Sequence, residues 1–352
     1  MKKKLLILSP IQFGYFTDTL KYCQYAADEF DITYLSWDYG KPMVEMPGIK
    51  VKYISRRSNI IVRNIRLLKA YLNEIRQGHD VIFAHYIKGV SLVKLLSPNR
   101  NFIIDIRTLS VYPGKFYRSI YNGILRLELL FFKKISIISD GVARKLRVKN
   151  YYLLPLGGEC FTSQPKSFET LSLLYVGTLL NRNMIECVKG FHQFVEAYSQ
   201  APVSTFTIVG NSPGPELEEI RAYIAAHNLG GRIITTGEIP QNQLHQFFEA
   251  ANVGISYIPM RSYFQYQPPT KTFEYLVSGL PVIATRTYEN QKVVKEDAGV
   301  LIEDNAQSFF QGVLAIVRKN NTFATNALKS DYAGFLWKNI VADKFVPFIK
   351  GS

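Results

Sequence analysis

Cysteine is scarce in this chain of 352 residues, and the three that occur, Cys23, Cys160 and Cys187, are widely scattered. With no CxxC and no pair of histidines at ligand spacing, the sequence excludes a disulfide framework and a zinc-type site. The cysteines read as small core residues of a reducing compartment. No uncharged apolar run reaches the ~18 residues needed to cross a bilayer. The opening, MKKKLLILSPIQFG, has the basic and apolar portions of a signal peptide, but the apolar run is confined to residues 5–8 and then meets Pro10. It reads as a first buried strand. Short repeats and low-complexity tracts are also missing.

Apolar material, in contrast, is ample. The chain is 47% hydrophobic and 13% aromatic, and it exceeds the ~250–300 residues at which one core usually stops growing. Two domains are therefore expected.

Charge is uneven along the chain. Residues 1–150 hold 26 Lys+Arg against 11 Asp+Glu, a net +15, whereas the remainder holds 16 against 17, a net −1. Two segments concentrate the excess, residues 56–76 and 115–134. In the first, Ile61, Ile65, Leu68, Leu72 and Ile75 recur at helical spacing and predict a core-facing stripe, with Arg63, Arg66, Lys69 and Arg76 on adjoining faces. In the second, bulky residues surround nearly the whole helix, which burial against one sheet explains poorly. A basic helix rich in Phe, Tyr and Leu suits docking on an anionic bilayer, each surface cation contributing about 1 kcal/mol near the headgroups. A solvated basic face accounts for the charge equally well. Because the cations come with helical apolar patterning and no nucleic-acid motif, nucleic acid is not an expected partner.

Strand and helix patterns alternate twice over. Apolar runs at 5–9, 32–35, 51–54, 81–84, 102–106 and 135–139 are spaced by helical segments, and a second set follows at 173–176, 206–209, 233–235, 253–257, 282–285 and 300–302. Each set predicts a doubly wound parallel sheet. Between them, residues 153–170 are rich in Gly, Pro, Ser and Thr and read as a linker. In the doubly wound class, ligands bind at the carboxyl ends of the strands.

Residues 260–289, MRSYFQYQPPTKTFEYLVSGLPVIATRTYE, are the most informative stretch. Pro268 and Pro269 suit a helix entry, where the missing N–H is not needed. Thr270 is a candidate N-cap, and Gly279 followed by Pro281 ends the helix. The spacing predicts a helix of about three turns, with Glu274 in its first turn and an amino end able to hold phosphate. Residues 282–285 then form a strand buried on both faces.

The second half resembles the nucleotide-binding domain of the retaining glycosyltransferases of family 4, the glycosyl transferases group 1. Six pieces occur in the family's order: LLYVGTL at 173–179, Lys189-Gly190, FTIVGNSP at 206–213, IITTGEIP at 233–240, ANVGISYIP at 251–259 and KTFEYLVSGLPVIAT at 271–285. The first half is similar to the family's acceptor domain in outline, through Phe13-Gly14 and through ISIISDGVARKL with LLPLGG at 153–158. The resemblance implies an α/β GT-B architecture of two facing Rossmann-like domains with an interdomain cleft. Their expected bounds are 1–160 and 161–335, followed by a C-terminal helix at 336–352, which in this fold often returns to the first domain.

The same resemblance implies a cytoplasmic glycosyltransferase, hexosyltransferase in type, at the inner face of the cell membrane. It would move a sugar from a nucleotide-diphosphate sugar to a glycan or lipid-linked acceptor in surface polysaccharide synthesis. Retention of configuration is implied, with no cofactor and no obligatory metal; no DxD stands where a metal-dependent transferase needs it. A sugar-nucleotide epimerase of the same fold and a non-catalytic polyanion-binding or glycan-binding protein are the alternatives.

Carried over residue by residue, Glu274 matches the second glutamate of the family's E-x7-E motif and would bind the ribose hydroxyls, although the helix dipole also favours an acid near a helix start. Tyr266 stands where the first glutamate is expected, so it or Gln267 would offer the donor sugar a neutral hydrogen bond. Arg182 and Lys189 resemble the pair that grips the diphosphate. Lys271 is a further phosphate ligand or a tether to Glu274, and N–H groups of Thr270 to Thr272 would cradle a phosphate oxygen. Gly14 and Gly177 follow strands at which the main chain approaches the ligand. Gly210, Glu238 and Ile239 resemble residues lining the base pocket. On the acceptor side, His85, Asp105 and Arg107 sit at strand ends, where acceptor deprotonation and a structural role are both open readings. Asp140 is expected to cap the helix that follows it.

Overall fold

A computed structural model of the protein describes residues 2–198, 204–319 and 323–352. The chain divides into two compact units, Met1–Leu156 with Trp337–Ser352, and Gly157–Leu336. The first begins with β1 (Lys3–Leu8), α1 (Thr17–Ala26), β2 (Phe30–Asp38), β3 (Ile49–Ser55) and α2 (Ile60–Ile75). It continues with β4 (Val81–His85), α3 (Val90–Leu95), β5 (Phe102–Ile106), α4 (Lys115–Leu129), β6 (Lys134–Ile137), α5 (Asp140–Leu146) and β7 (Tyr152–Leu153). These strands form one parallel sheet in the order β3-β2-β1-β4-β5-β6-β7. Its central strands are covered on both faces, which is why Leu5 to Leu8 and Val81 to Ala84 read as unbroken apolar runs.

Several local expectations are corrected. No helix separates β2 from β3; residues 39–48 contain Pro42 and Pro47, and Gly40 and Gly48 at φ 71° and 80°, which together oppose a helix. The buried side of α2 is Leu67, Tyr71 and Ile75, while Ile61 and Ile65 of the expected stripe stand exposed. Ser139, not Asp140, caps α5, its hydroxyl accepting from the Val142 N–H at 3.3 Å. Asp140 instead accepts from the Tyr151 hydroxyl at 2.8 Å.

The C-terminal segment completes the first unit as a helical run: Trp337–Ile340, a π-helical turn Val341–Phe345, and Val346–Lys350. Phe345 stacks on Tyr22 of α1 with ring centroids 4.4 Å apart, and Trp337 meets the same ring edge-on at 6.0 Å.

The second unit runs β8 (Leu171–Val176), α6 (Ile185–Ala197), β9 (Ser204–Val209), α7 (Glu216–Ala226), β10 (Ile233–Gly237), α8 (His245–Ala250) and β11 (Val253–Ser256). It ends with α9 (Thr270–Val277), β12 (Val282–Thr285), α10 (Tyr288–Val293), β13 (Gly299–Ile302), α11 (Ala306–Lys319) and α12 (Thr325–Asp331). The sheet is again parallel, in the order β10-β9-β8-β11-β12-β13. One core includes Phe191, Phe206 and Phe309, and a second includes Phe248, Tyr275 and Leu276.

The helix at 270 differs from expectation in two ways. It has eight residues, and Pro269 occupies its N-cap with no side-chain bond, so Thr270 is its first residue. Glu274 therefore lies in the second turn, where the dipole explanation for an acid loses force. The helix ends as expected, with Gly279 at φ 78°.

Trp337 is fully buried on Tyr22, so Trp337→Ala should destabilise the first unit by about 3–5 kcal/mol. Urea unfolding followed by circular dichroism should show an earlier first transition, and an unshifted curve would mean that the C-terminal run is not part of this core.

Candidate functional site

The site begins where β8, β9 and β10 end. Gly177 donates its N–H to the Val209 carbonyl at 2.9 Å, and Gly210 donates to Gly237 at 2.8 Å. The two strand-end glycines stand so close that a Cβ on Gly210 would lie 1.9 Å from the Gly177 carbonyl oxygen. At φ 153° Gly210 is also in a region that other residues rarely adopt. Beside them opens a cavity of about 370 Å³, within the range of small-ligand sites.

Four predicted residues, Gly177, Gly210, Glu238 and Ile239, line this cavity together. Sequence reading passed over its other polar groups, Thr178, Asn211 and Gln241. The first two lie inside the quoted VGTL and VGNSP pieces and could have been found there; Gln241 had no such signal.

A cationic lip adjoins the glycines. Tyr275 of α9 accepts the Val176 N–H at 2.9 Å, which fixes α9 against the end of β8. Gly254 permits that packing, since a Cβ there would fall 2.2 Å from the Tyr275 ring. Lys271 consequently projects across Tyr175, its Nζ 3.7 Å from the ring centroid. A Cβ on Gly177 would come 2.9 Å from that Nζ, so the ammonium sits directly against the glycine turn. Burial lowers the Lys271 pKa to about 7, with Arg182 adding to the fall and Glu274 and Cys187 opposing it. Arg182 lies over the Phe264 ring at 4.7 Å, and its buried Nη1 has no hydrogen-bond partner. Two cations thus repel one another at the edge of a pocket, an arrangement that an anion would relieve.

The remaining second-unit candidates fall into distinct places. Glu274 is half-buried, close enough to Lys271 to influence its charge, and its backbone is packed so tightly on Gly158 that a Cβ there would meet Glu274 N at 2.7 Å. Thr272 is fully buried: its hydroxyl donates to Asn290 Oδ1 at 2.9 Å and so accepts from Ser256 at 2.6 Å. Its N–H is also engaged, donating to Pro269 O at 3.1 Å. The residue locks α9 in place and is not itself available to a ligand. Thr270 opens the helix beside it. Lys189 is half-exposed on α6, its ammonium 3.6 Å from Glu186, so its ion pair is on its own helix. Tyr266 packs near Tyr288 with centroids 5.1 Å apart, and the Gln267 N–H turns back to Phe264 O at 3.2 Å.

In the first unit, His85, Asp105 and Arg107 belong to one buried network. His85 Nδ1 is 3.2 Å from Asp105 Oδ2, in poor alignment for a hydrogen bond, and Nε2 bonds to the Thr19 hydroxyl at 3.1 Å. Asp105 Oδ1 accepts from Ser136 at 2.6 Å. Arg107 donates to Asp18 Oδ2 at 2.6 Å and to the Leu154 carbonyl at 2.6 Å. Burial would lower its pKa, but Asp18, Tyr22 and Asp105 outweigh this and raise it. Gly14, at φ 91°, makes room for Val44, whose Cγ2 would lie 2.4 Å from an added Cβ.

Comparison with known proteins now has a geometry to meet. Residues 170–319 match the family described as Glycosyl transferases group 1. No curated protein sequence matches the chain. Among solved structures, sucrose-phosphate synthase from Thermosynechococcus elongatus is 18% identical over 97% of both chains, with a TM-score of 0.72. Anabaena HepE in complex with UDP is 14% identical over 99% of this chain and 100% of the other, with a TM-score of 0.71. WaaG, a glycosyltransferase involved in lipopolysaccharide biosynthesis, is 13% identical over 99% and 100%, with a TM-score of 0.70. At these identities the likeness establishes the fold, the two-domain α/β architecture of GT-B glycosyltransferases.

A diphosphate at the lip would favour the charged form of Lys271. Affinity for a nucleotide sugar, whose diphosphate does not titrate near neutrality, should therefore fall as pH rises through about 7 and the ammonium loses its proton. Calorimetry across that range should show the slope in the native protein and lose it in Lys271→Gln. A flat native profile would remove Lys271 from the site.

Proposed function

We propose that the protein transfers a sugar from a nucleotide-diphosphate sugar to a glycan or lipid-linked acceptor in the synthesis of a surface glycan. The observation that carries this reading is the pairing of Arg182 and Lys271 at the lip of a glycine-built pocket. The cavity at Gly177, Gly210, Glu238 and Ile239 would take the base, and Glu274 the ribose hydroxyls. The diphosphate would then face the two cations and the amino end of α9. As the bond from the sugar to the diphosphate breaks, negative charge grows on the leaving group, and preplaced cations stabilise that charge more than the ground state. Loss of the leaving group is thereby favoured on one face of the sugar, which suits retention of configuration without calling on a metal. Tyr266 or Gln267 would contact the donor sugar, and Lys189 would support the diphosphate after leaving Glu186.

On the acceptor side, His85 with Asp105 behind it is the group suited to accept a proton from a hydroxyl. Arg107 acts as a positioning residue through Asp18 and Asp105, and Gly14 shapes the loop after β1. Support from the neighbours is that HepE is described in complex with UDP and WaaG in lipopolysaccharide biosynthesis. A cytoplasmic location at the membrane face follows from a lipid-linked acceptor.

Calorimetry with UDP, GDP, ADP and dTDP sugars should give binding to one of them. Removing the carboxylate that would pair the ribose, Glu274→Ala, should weaken that binding by about 1–3 kcal/mol, or roughly five-fold to 150-fold. No heat with any donor, or an unchanged Glu274→Ala, would sink the reading. Conversion of the donor with no acceptor present would instead mark an epimerase, and the anomeric configuration of the product by NMR tests retention.

A further inference from the structure

The outer helical layer of the first unit carries a surface that sugar transfer does not use. Among the described residues, 22 large hydrophobic side chains stand exposed, and 15 of them fall between Ile60 and Phe131, whereas the second unit has three. They lie on α2, α3, α4 and the adjoining loops, which form one layer. Gly89, at the start of α3, approaches Leu68 of α2, and Glu128 of α4 accepts from the Gly89 N–H at 2.7 Å and the Ser91 hydroxyl at 3.1 Å. The side chains project well into solvent, with Leu96 69%, Phe116 72% and Leu130 78% exposed. An apolar surface of this extent marks an interaction face.

Charge identifies what covers it. Residues 56–134 hold 15 Lys+Arg and four Asp+Glu, and of the cations only Arg107 is buried. All four carboxylates are engaged within the unit: Glu74 with Lys52, Asp80 with the Lys4 N–H, Asp105 with Ser136 and Glu128 with α3. The layer thus presents hydrocarbon and positive charge interleaved. At the carboxyl ends of α3 and α4 a cavity of about 440 Å³ is bounded by Lys94, Arg100, Lys133, Lys134, Leu95 and Phe131. Lys94 and Lys134 bond to local oxygens, while Arg100 and Lys133 remain exposed beside the apolar residues. Anionic headgroups above acyl chains complement both components, whereas a nucleic acid would leave the leucines without partners. Among the described residues no helix is long and apolar enough to cross a membrane, so such contact is peripheral.

We propose that the α2–α4 layer docks on an anionic bilayer, its apolar side chains entering the headgroup boundary and its cations meeting lipid phosphates, one of them in the α3–α4 cavity. The inference does not depend on the donor-site reading. The full chain should co-sediment with vesicles containing phosphatidylglycerol, less so as salt rises, and not with phosphatidylcholine alone. The exposed-residue variant Leu96→Ser/Leu130→Ser/Phe131→Ser should bind more than about ten-fold more weakly. Arg100→Gln/Lys133→Gln should also bind more weakly, and both variants should keep the native circular dichroism spectrum and donor heat. Absence of sedimentation with phosphatidylglycerol at low salt overturns the proposal. So does native-like vesicle binding by the triple serine variant, which together with competition by RNA would mark a charge-only polyanion surface. Donor calorimetry is read separately, so either failure leaves the transfer reading intact.

Discussion

Contact between two backbones governs the second unit. The chain can leave β8 and β9 side by side and turn only because neither Gly177 nor Gly210 carries a side chain; any Cβ at Gly210 would collide with the carbonyl opposite. That approach leaves an opening above the strand ends bounded by main chain. Beyond the polar groups that line the cavity, charged side chains gather at the lip, where Tyr175 and Tyr275 fix the positions of β8 and α9 and hence of Lys271. A rigid scaffold of this sort places a few polar groups accurately without needing many of them.

Electrostatic compensation differs sharply between the two units. In the first, every buried charge near the strand ends has an opposite partner, and Arg107 remains charged because Asp18 holds it. In the second, Lys271 and Arg182 crowd one another and Glu274 offsets them only in part. Burial of like charges is costly unless an anion shares the cost, so the contrast marks Lys271 and Arg182 as the place where a bound anion would gain most.

Much of this was legible in the sequence, and the reasons are physical. Central strands covered on both faces leave unbroken apolar runs, and all twelve runs read as strands form strands, including the partly exposed edge runs at 51–54 and 233–235. The glycine turns were legible because motif pieces with Gly177, Gly210 and Glu238 occur in a fixed order. What failed depends on direction in space. Periodicity shows that α2 is amphipathic but not which of two apolar sides meets the sheet, and Leu67 and Tyr71 prevailed over Ile61 and Ile65. Likewise Thr272, adjacent to Lys271, turns inward to Asn290, a choice set by β11 and α10 rather than by its neighbours in sequence. Spacing equally cannot register the aromatic ring that Lys271 crosses.

The return of Trp337–Ser352 to the first unit has a consequence for biosynthesis. Gly157–Leu336 is continuous and can close its own core as soon as it leaves the ribosome. The earlier-made unit must wait, with Tyr22 lacking Trp337 and Phe345, until residues 337–352 emerge. Order of maturation therefore runs opposite to order of synthesis for these two units, and a nascent chain stalled before Trp337 would expose an incomplete first unit to chaperones.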